Sequence, residues 1–477
     1  MAVHSPEYTH HAIMYQLFLR GFTPEGTINA AAKLLPHLAD IGIDIVYLCP
    51  ITTADDDMDK VHWSKRQLAS GLENPCNPYR VKDYFDIDPE YGDDDDLLAF
   101  VKTAHQLGMA VILDVVYWHC GPKANIIAEH PDFVKRDENG ELLYNIYNFA
   151  VLDFDNPDLR EYLYENLEYF VEKFGVDGYR ADVAGAIPAD FWNEARRRLD
   201  EINPDITMLA ESEEPALHED AFDMSYAFCW SRKIAAVFDG KEPATTLRDI
   251  WHDLNERMKD ALPRFIRCFD NHDICSDDYD NRTEKRWSQD ANDAALLLDF
   301  TIDGIPFVYN GQEIADATRI SIWSNRFHSH SQCINWSKLL TSEGQARLDF
   351  FKKLTELRHS SDVLAEGDTI WVDNSTPDEL ISFLRVPAPF VDDDDDVNAA
   401  EDDDCGCDDC GCDDHETPSS VLVVINASDK PLASTLEFGL ERGMLLKVCM
   451  IRGANYKPDG DQLKVNLLPY GFLVLEF

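Results

Sequence analysis

The sequence predicts an α/β fold: a (β/α)8 barrel of the TIM type with a short excursion after its third strand and a C-terminal antiparallel β-sandwich. Eight short apolar runs recur before residue 362, stretches of helical period separate them, and beyond that point the texture turns β-rich with turn signals and no helical period. Continuous apolar strands between helices imply a parallel sheet covered on both faces. Eight such repeats are enough to close a barrel. An open doubly wound sheet is the rival, but no GxGxxG turn follows the first run to support dinucleotide binding.

The first run is Tyr15 to Leu19. The amphipathic stretch INAAAKLLPHLADIGI feeds the second, Ile45 to Leu48, and LLAFVKTAHQLGM feeds the third, Val111 to Val116. Cys120 to Asn156 follows, too long and too rich in turn residues for an ordinary βα connection, so residues 121–156 form a candidate subdomain at the barrel mouth. LREYLYENLEYFVEKFGV then leads into Gly178 to Asp182, and the remaining runs are Met208 to Ala210, Met224 to Phe228, Phe265 to Phe269 and Pro306 to Tyr309. The barrel is thus assigned to residues 1–120 and 157–361. Residues 362–477 carry ELISFLRV, SVLVVINAS, LLKVCMI and GFLVLEF, the strands of the expected sandwich.

Composition narrows the function. With 45% apolar and 11% aromatic residues in 477, a sizeable core is expected. A formal net charge of -48 repels phosphate backbones and anionic lipid, so neither nucleic acid nor a membrane is an expected partner. No apolar run reaches the length of a membrane span, and MAVHSPEYTHHAIMYQ lacks the pattern of a secretory leader. The expected location is the cytoplasm, although a secreted chain stripped of its leader would read the same way. Eight cysteines scattered without pattern fit reduced, buried thiols. The acidity fits either a saline habitat or ordinary solubility, and oligomeric state is left open.

In a barrel of this kind, side chains at the C-terminal strand ends share one mouth. Those ends carry Asp114 and His119, Arg180 and Asp182, Glu211, then Asp270, His272 and Asp273. A single strand-end Asp is usually a cap or an ion-pair partner, but the repetition over several strands argues for a site. Cleavage of a glycosidic bond calls for such a set: one carboxylate to attack or shield the anomeric carbon, and a second carboxyl kept protonated for the leaving oxygen. Asp182 suits the first role, with Arg180 two residues away holding it ionised. Glu211 suits the second, its pKa raised by neighbouring carboxylates. Asp273 would stabilise the cationic transition state, and His119 and His272 would donate hydrogen bonds to ring hydroxyls.

The stretches DVVYWHC (Asp114 to Cys120), GVDGYRADVA (Gly175 to Ala184), LAESEE (Leu209 to Glu214) and FDNHD (Phe269 to Asp273) resemble the four ordered sequence regions of the α-amylase family of glycoside hydrolases (family 13). NPYRVKDYFDIDPEYG and PFVYNGQEI are similar to its second-strand and eighth-strand segments. The resemblance implies a retaining double displacement with Asp182 as nucleophile, Glu211 as acid and base, and Asp273 as stabiliser. It also implies that Tyr79, Asp114, His119, Arg180 and His272 bind the reacting sugar, with Tyr79 as a stacking platform, and that the substrate is an α-linked glucan or maltooligosaccharide. No organic cofactor is required. Retention implies carboxyl groups about 5 to 5.5 Å apart.

The chain departs from the family in two places. Trp118 stands where the family usually has the asparagine that helps bind calcium, and an indole offers no oxygen to a hard cation, so the usual calcium site is not expected and Trp118 is expected to wall the cleft. After Asp182 the chain reads VAGA rather than the Lys and His of many α-amylases, so its acceptor side is built differently. A transglycosylase on the same scaffold therefore remains a competing reading, and a non-catalytic carbohydrate-binding or scaffold protein is a third.

Between two expected C-terminal strands, Val391 to Pro418 holds 14 Asp plus Glu and no Lys or Arg. Its Cys405, Cys407, Cys410 and Cys412 are candidate ligands for a soft metal such as zinc. The alternatives are a solvated, like-charged loop and a disulfide pair.

Overall fold

The computed structural model describes residues 5–259, 261, 263–277, 282–328, 332–388, 419–439 and 444–477. Eight parallel strands close into a barrel: β1 (Met14–Leu17), β2 (Ile45–Leu48), β3 (Ala110–Val115), β4 (Gly178–Ala181), β5 (Thr207–Ala210), β6 (Met224–Tyr226), β7 (Arg264–Arg267) and β8 (Ile305–Tyr309). Neighbours run in chain order, and β8 pairs with β1 to complete the ring, as in Met14 opposite Phe307. Each coincides with one of the apolar runs. The strands are buried almost throughout because helices cover the outside and side chains fill the inside, which explains why they read as unbroken apolar segments.

The helices follow their terminal chemistry. In α1 (Asp94–Gln106), Asp93 caps the first turn by accepting the Asp96 N–H, and Asp94, Asp95 and Asp96 place negative charge at the positive end of the helix dipole. In α2 (Pro157–Phe174), Asn156 caps a start with proline in the first turn, and Gly175 at φ 71° ends it in the left-handed conformation that glycine adopts freely. The stretch INAAAKLLPHLADIGI breaks in two, Ile28–Ala32 and Leu35–Asp40. Pro36 lacks an N–H and its ring would meet the carbonyl four residues back, so one continuous helix is blocked there. Gly178 in β4 answers another constraint: a Cβ there would lie 1.9 Å from the Thr207 carbonyl oxygen of β5.

The excursion after β3 is irregular β structure. His119–Cys120 pairs antiparallel with Ala150–Val151, and isolated bridges join Val134 to Leu152, Arg136 to Leu142 and Tyr144 to Ala150. It returns Tyr147 and Phe149 to the barrel mouth.

The C-terminal unit has six antiparallel strands: β9 (Asp368–Trp371), β10 (Leu380–Val386), β11 (Val421–Asn426), β12 (Leu432–Glu437), β13 (Lys447–Asp459) and β14 (Gln462–Glu476). They run in the order β9-β10-β11-β14-β12, with β13 along β14. The two halves of β14 have different outer partners: Gln462 to Leu467 pairs with β12, and Phe472 to Glu476 with β11. One hydrogen-bonded sheet therefore folds over to make the sandwich-like core. In β11, Val421, Val423 and Ile425 join the barrel's core while Leu422 and Val424 enter the sheet's own. Period-two burial on both faces turns this strand into a continuous apolar run. The junction is helical, Asp362–Glu366, so β structure begins at Asp368 rather than at 362. The segment 391–418, with Cys405, Cys407, Cys410 and Cys412, lies outside the described residues.

Two more of the helices around the barrel are α3 (Gln289–Thr301), capped by Ser288, and α4 (Ser342–His359), capped by Thr341. Every residue of α3 from Ala291 to Thr301 is buried, because it lies between the barrel and the C-terminal sheet.

Candidate active site

The sequence of β3 and β4 fixes the floor of the mouth. Asp114 lies directly opposite Arg180 in the parallel register, so their side chains emerge together. The Arg180 guanidinium donates through Nη1 to Asp114 Oδ1 (2.8 Å) and Asp182 Oδ1 (2.9 Å), and its Nη2 stands 3.0 Å from Glu211 Oε2. One cation thus serves three carboxylates, and the faces of Tyr226 and Tyr79 lie 5.4 and 6.0 Å from it. The Arg180 and Asp114 side chains are only 1% and 0% exposed. The structure places these two beneath the floor of the hollow, as groups that position others, rather than on its lining.

Asp182 and Glu211 do line the hollow, as do Asp273, Tyr79, His119 and His272, all six around one cleft that opens to solvent. Burial and their mutual repulsion push the Asp182–Glu211 pair above the ordinary carboxylate range, against the pull of Arg180. The pair therefore retains a proton to higher pH than isolated carboxyls would. Glu211 Oε2 accepts the Val183 N–H at 2.7 Å as well as facing Arg180, so the proton belongs on the other oxygen, Oε1. Val183 sits at φ 45°, ψ 43°, a left-handed conformation that costs a β-branched residue about 1–3 kcal/mol. That turn aims its N–H at Glu211 immediately after Asp182.

A second chain of hydrogen bonds runs through the opposite side of the floor. Gln16 Oε1 accepts the His272 backbone N–H at 3.0 Å, and Gln16 Nε2 lies 2.6 Å from His272 Nδ1. His272 Nε2 lies 2.8 Å from the Tyr79 hydroxyl, which donates to Asp114 Oδ2 at 2.9 Å, where Tyr47 also donates at 2.5 Å. Tyr79 stacks on the His272 ring with centroids 5.3 Å apart, so its platform is backed by an imidazole.

His119 holds the Tyr79 main chain through Nε2, 2.9 Å from the carbonyl oxygen. A carbonyl only accepts, so Nε2 carries the hydrogen, and Nδ1 is a buried acceptor without a partner among the described residues. Burial pushes this histidine down to about 4, which keeps the ring neutral. The expectation that His119 donates to a sugar is thus corrected: its remaining ring atom accepts.

Asp273 follows a different logic. Burial alone would raise it, but nearby cationic groups hold it down at about 2. His272 is itself pushed down by burial and is neutral near pH 7, so Arg66, donating from Nη2 to Asp273 Oδ1 at 2.9 Å, is the cation that keeps Asp273 ionised there. Asp270 does not join the site. Its Oδ1 accepts the Asn271 N–H, its Oδ2 lies 4.0 Å from Arg282 Nε, and burial pushes it up to about 7.

Several lining residues carry no sequence signal of their own: Arg66 in a short helix after β2, Tyr147 and Phe149 in the excursion, Ile322 and Trp323 beyond β8. Val183 is likewise silent, since nothing in VAGA announces a left-handed valine. Gln16 lies on β1 one residue past Tyr15, and its inward period was the available clue. Trp118 is half-buried, edge-on to His119 at 5.6 Å and to Tyr147 at 6.2 Å; it backs the wall rather than forming it. It supplies no side-chain oxygen at the position that would serve calcium, and among the described residues no group of three or more His, Cys, Asp or Glu is arranged to hold a metal.

A parallel eight-stranded barrel whose C-terminal mouth gathers three carboxylates and two histidines above a buried arginine defines the class: a barrel with the groups for acid–base and nucleophilic chemistry. The α-amylase catalytic-domain family model matches residues 20–139 and 137–347, and the chain belongs to that family. An intracellular maltogenic amylase of Bacillus subtilis is 26% identical over 388 residues, 76% of this chain and 60% of that protein. A cyclomaltodextrinase of Geobacillus thermopakistaniensis is 26% identical over 94% of this chain and 70% of its own length. The chain therefore spans well under the full length of these relatives. Among solved structures, a noncanonic maltogenic α-amylase, AmyB, of Thermotoga neapolitana superposes with a TM-score of 0.77 at 24% identity, covering 100% of this chain and 99% of its own. That likeness extends the fold match through the C-terminal sheet.

Proposed function

We propose that this chain is a retaining glycoside hydrolase acting on α-linked glucans or maltooligosaccharides. The observation that carries the reading is the convergence of Asp182, Glu211 and Asp273 on one hollow, with Arg180 joining the first two. Asp182 attacks the anomeric carbon while Glu211 delivers its proton to the leaving oxygen, giving a covalent glucosyl–Asp182 ester. Glu211, now ionised, takes a proton from water, which attacks the same carbon and releases Asp182. Asp273, kept anionic by Arg66, faces the positive charge that develops on the sugar. His119 Nδ1 accepts from a sugar hydroxyl, and Tyr79 stacks against the apolar face of the ring. The reaction draws only on these side chains, without an organic cofactor.

The partner is a neutral oligosaccharide, consistent with a strongly acidic chain. Among the described residues no helix is long and apolar enough to cross a membrane. We place the protein in the cytoplasm, a reading supported by the intracellular relative in Bacillus subtilis.

Incubation with starch, maltotriose, pullulan, trehalose and sucrose tests the proposal. Shorter products whose initial anomeric form is α support it. Products longer than the substrate would make the chain a transglycosylase, and no cleavage of any α-glucoside would overturn the proposal.

A further inference from the structure

We propose that Arg66 and Trp323 close one end of the hollow, so that it holds a single glucosyl unit and the protein removes glucose one residue at a time from non-reducing ends. The inference rests on the glycosidase reading above and adds to it the position of attack.

Asp182 and Glu211 follow β4 and β5. In the closed strand order these lie across the barrel from β8 and β1, which β7 and β2 flank. The bond to be broken must sit between the two carboxyl groups, which puts C1 of the bound sugar, and the departing group, on the β4–β5 side. C1 and C4 occupy opposite ends of a pyranose ring. When C1 faces Asp182 and Glu211, O4 points toward the β8–β1 side. Within an α-1,4 chain O4 carries the preceding glucose; only at the non-reducing end is it a free hydroxyl.

What stands on that side is a wall. Ser64 caps the short helix Lys65–Ala69 by accepting the Gln67 N–H, which sets Arg66 in the first turn. The Arg66 guanidinium reaches Asp273 Oδ1 at 2.9 Å and lies 5.5 Å from the centre of the Trp323 ring, itself 2% exposed. Segments after β2, β7 and β8 are thereby tied together through one side chain. Ile322, also buried, continues the lining. A free O4 hydroxyl can accept from the Arg66 guanidinium. An O4 that bears another sugar would place that sugar in the space of Arg66 and Trp323.

The full-length protein is assayed on maltoheptaose and on maltoheptaose whose non-reducing end is blocked by a 4,6-O-ethylidene group. The expected result is glucose as the first and only small product, with the blocked substrate cut at least about 10²-fold more slowly. Arg66→Ala and Trp323→Ala are each expected to raise the rate on the blocked substrate relative to the unblocked one. Cleavage of both substrates at similar rates by the unaltered protein, or early release of maltose and longer fragments, would overturn the single-unit pocket and leave the glycosidase reading standing. Cleavage of neither, nor of any other α-glucoside, would overturn both.

Discussion

Gln16 decides which nitrogen of His272 carries the proton. Its amide oxygen is committed to the His272 backbone N–H, so its NH2 group must point at Nδ1, which then accepts. The hydrogen resides on Nε2 and is donated to the Tyr79 hydroxyl, which in turn donates to Asp114. A single strand-end amide thus sets the direction of a chain of hydrogen bonds that ends on the partner of Arg180.

Gln16→Glu should change the charge on that ring. A carboxylate in place of the amide offers no hydrogen to Nδ1 and favours a protonated, cationic ring. The expected outcome is a His272 imidazole that is neutral at pH 7 in the parent and charged in the variant, read by nitrogen NMR shifts of the ring. A loss in kcat/KM of roughly tenfold, corresponding to about 1.4 kcal/mol, is expected alongside. An unchanged ring would refute the tautomer.

Asp182→Asn should abolish turnover while oligosaccharide binding persists, because the nucleophile alone is lost. Glu211→Gln should cost on the order of 10² to 10⁴ for substrates with poor leaving groups and less for good ones. Steady-state rates on natural and activated glucosides separate the two, and unchanged turnover in either variant would remove the role proposed for that residue.

The Asp182–Glu211 pair should govern the pH profile. Activity needs one proton on the pair, so kcat/KM is expected to be bell-shaped, with the acid limb marking the first ionisation and the alkaline limb the second. Arg180 opposes the upward push of burial. Arg180→Lys, and more strongly Arg180→Ala, should therefore move the acid limb to higher pH. A limb that stays in place would count against the pairing.

Asp299, buried in α3 with Trp230 Nε1 at 3.3 Å, is pushed up to about 7 by burial. A carboxyl raised in the folded state binds more protons there than in the unfolded chain, so its contribution to stability falls as pH rises from about 4 to 7. Asp299→Asn should flatten that fall and raise Tm at pH 8 more than at pH 4. Thermal unfolding of both proteins at the two pH values decides it.

Much of this was legible before any coordinates. The eight barrel strands and the pocket carboxylates Asp182, Glu211 and Asp273 stood out because strand period and strand-end position are local properties of the chain. Strands β9 and β12 were missed, since Asp368–Trp371 and Leu432–Glu437 alternate in exposure and carry weak apolar signals. Arg66, Trp323 and Val183 were missed for a different reason: each acquires its role from a partner more than 20 positions away, as Arg66 does from Asp273 and Val183 from Glu211. Position alone also misjudged Asp270, whose carboxyl turns toward Arg282 instead of the mouth.

The burial of α3 on both sides bears on how the chain can be cut or recombined. Its outward face is covered by β11 and β14, and Arg452 of β13 pairs with Asp293 on that helix. Truncation ahead of residue 362 would strip a greasy helix of its roof and leave Asp293 to Arg347 alone. The barrel therefore shares one core helix with the terminal sheet, and removing the sheet is expected to lower the Tm of what remains.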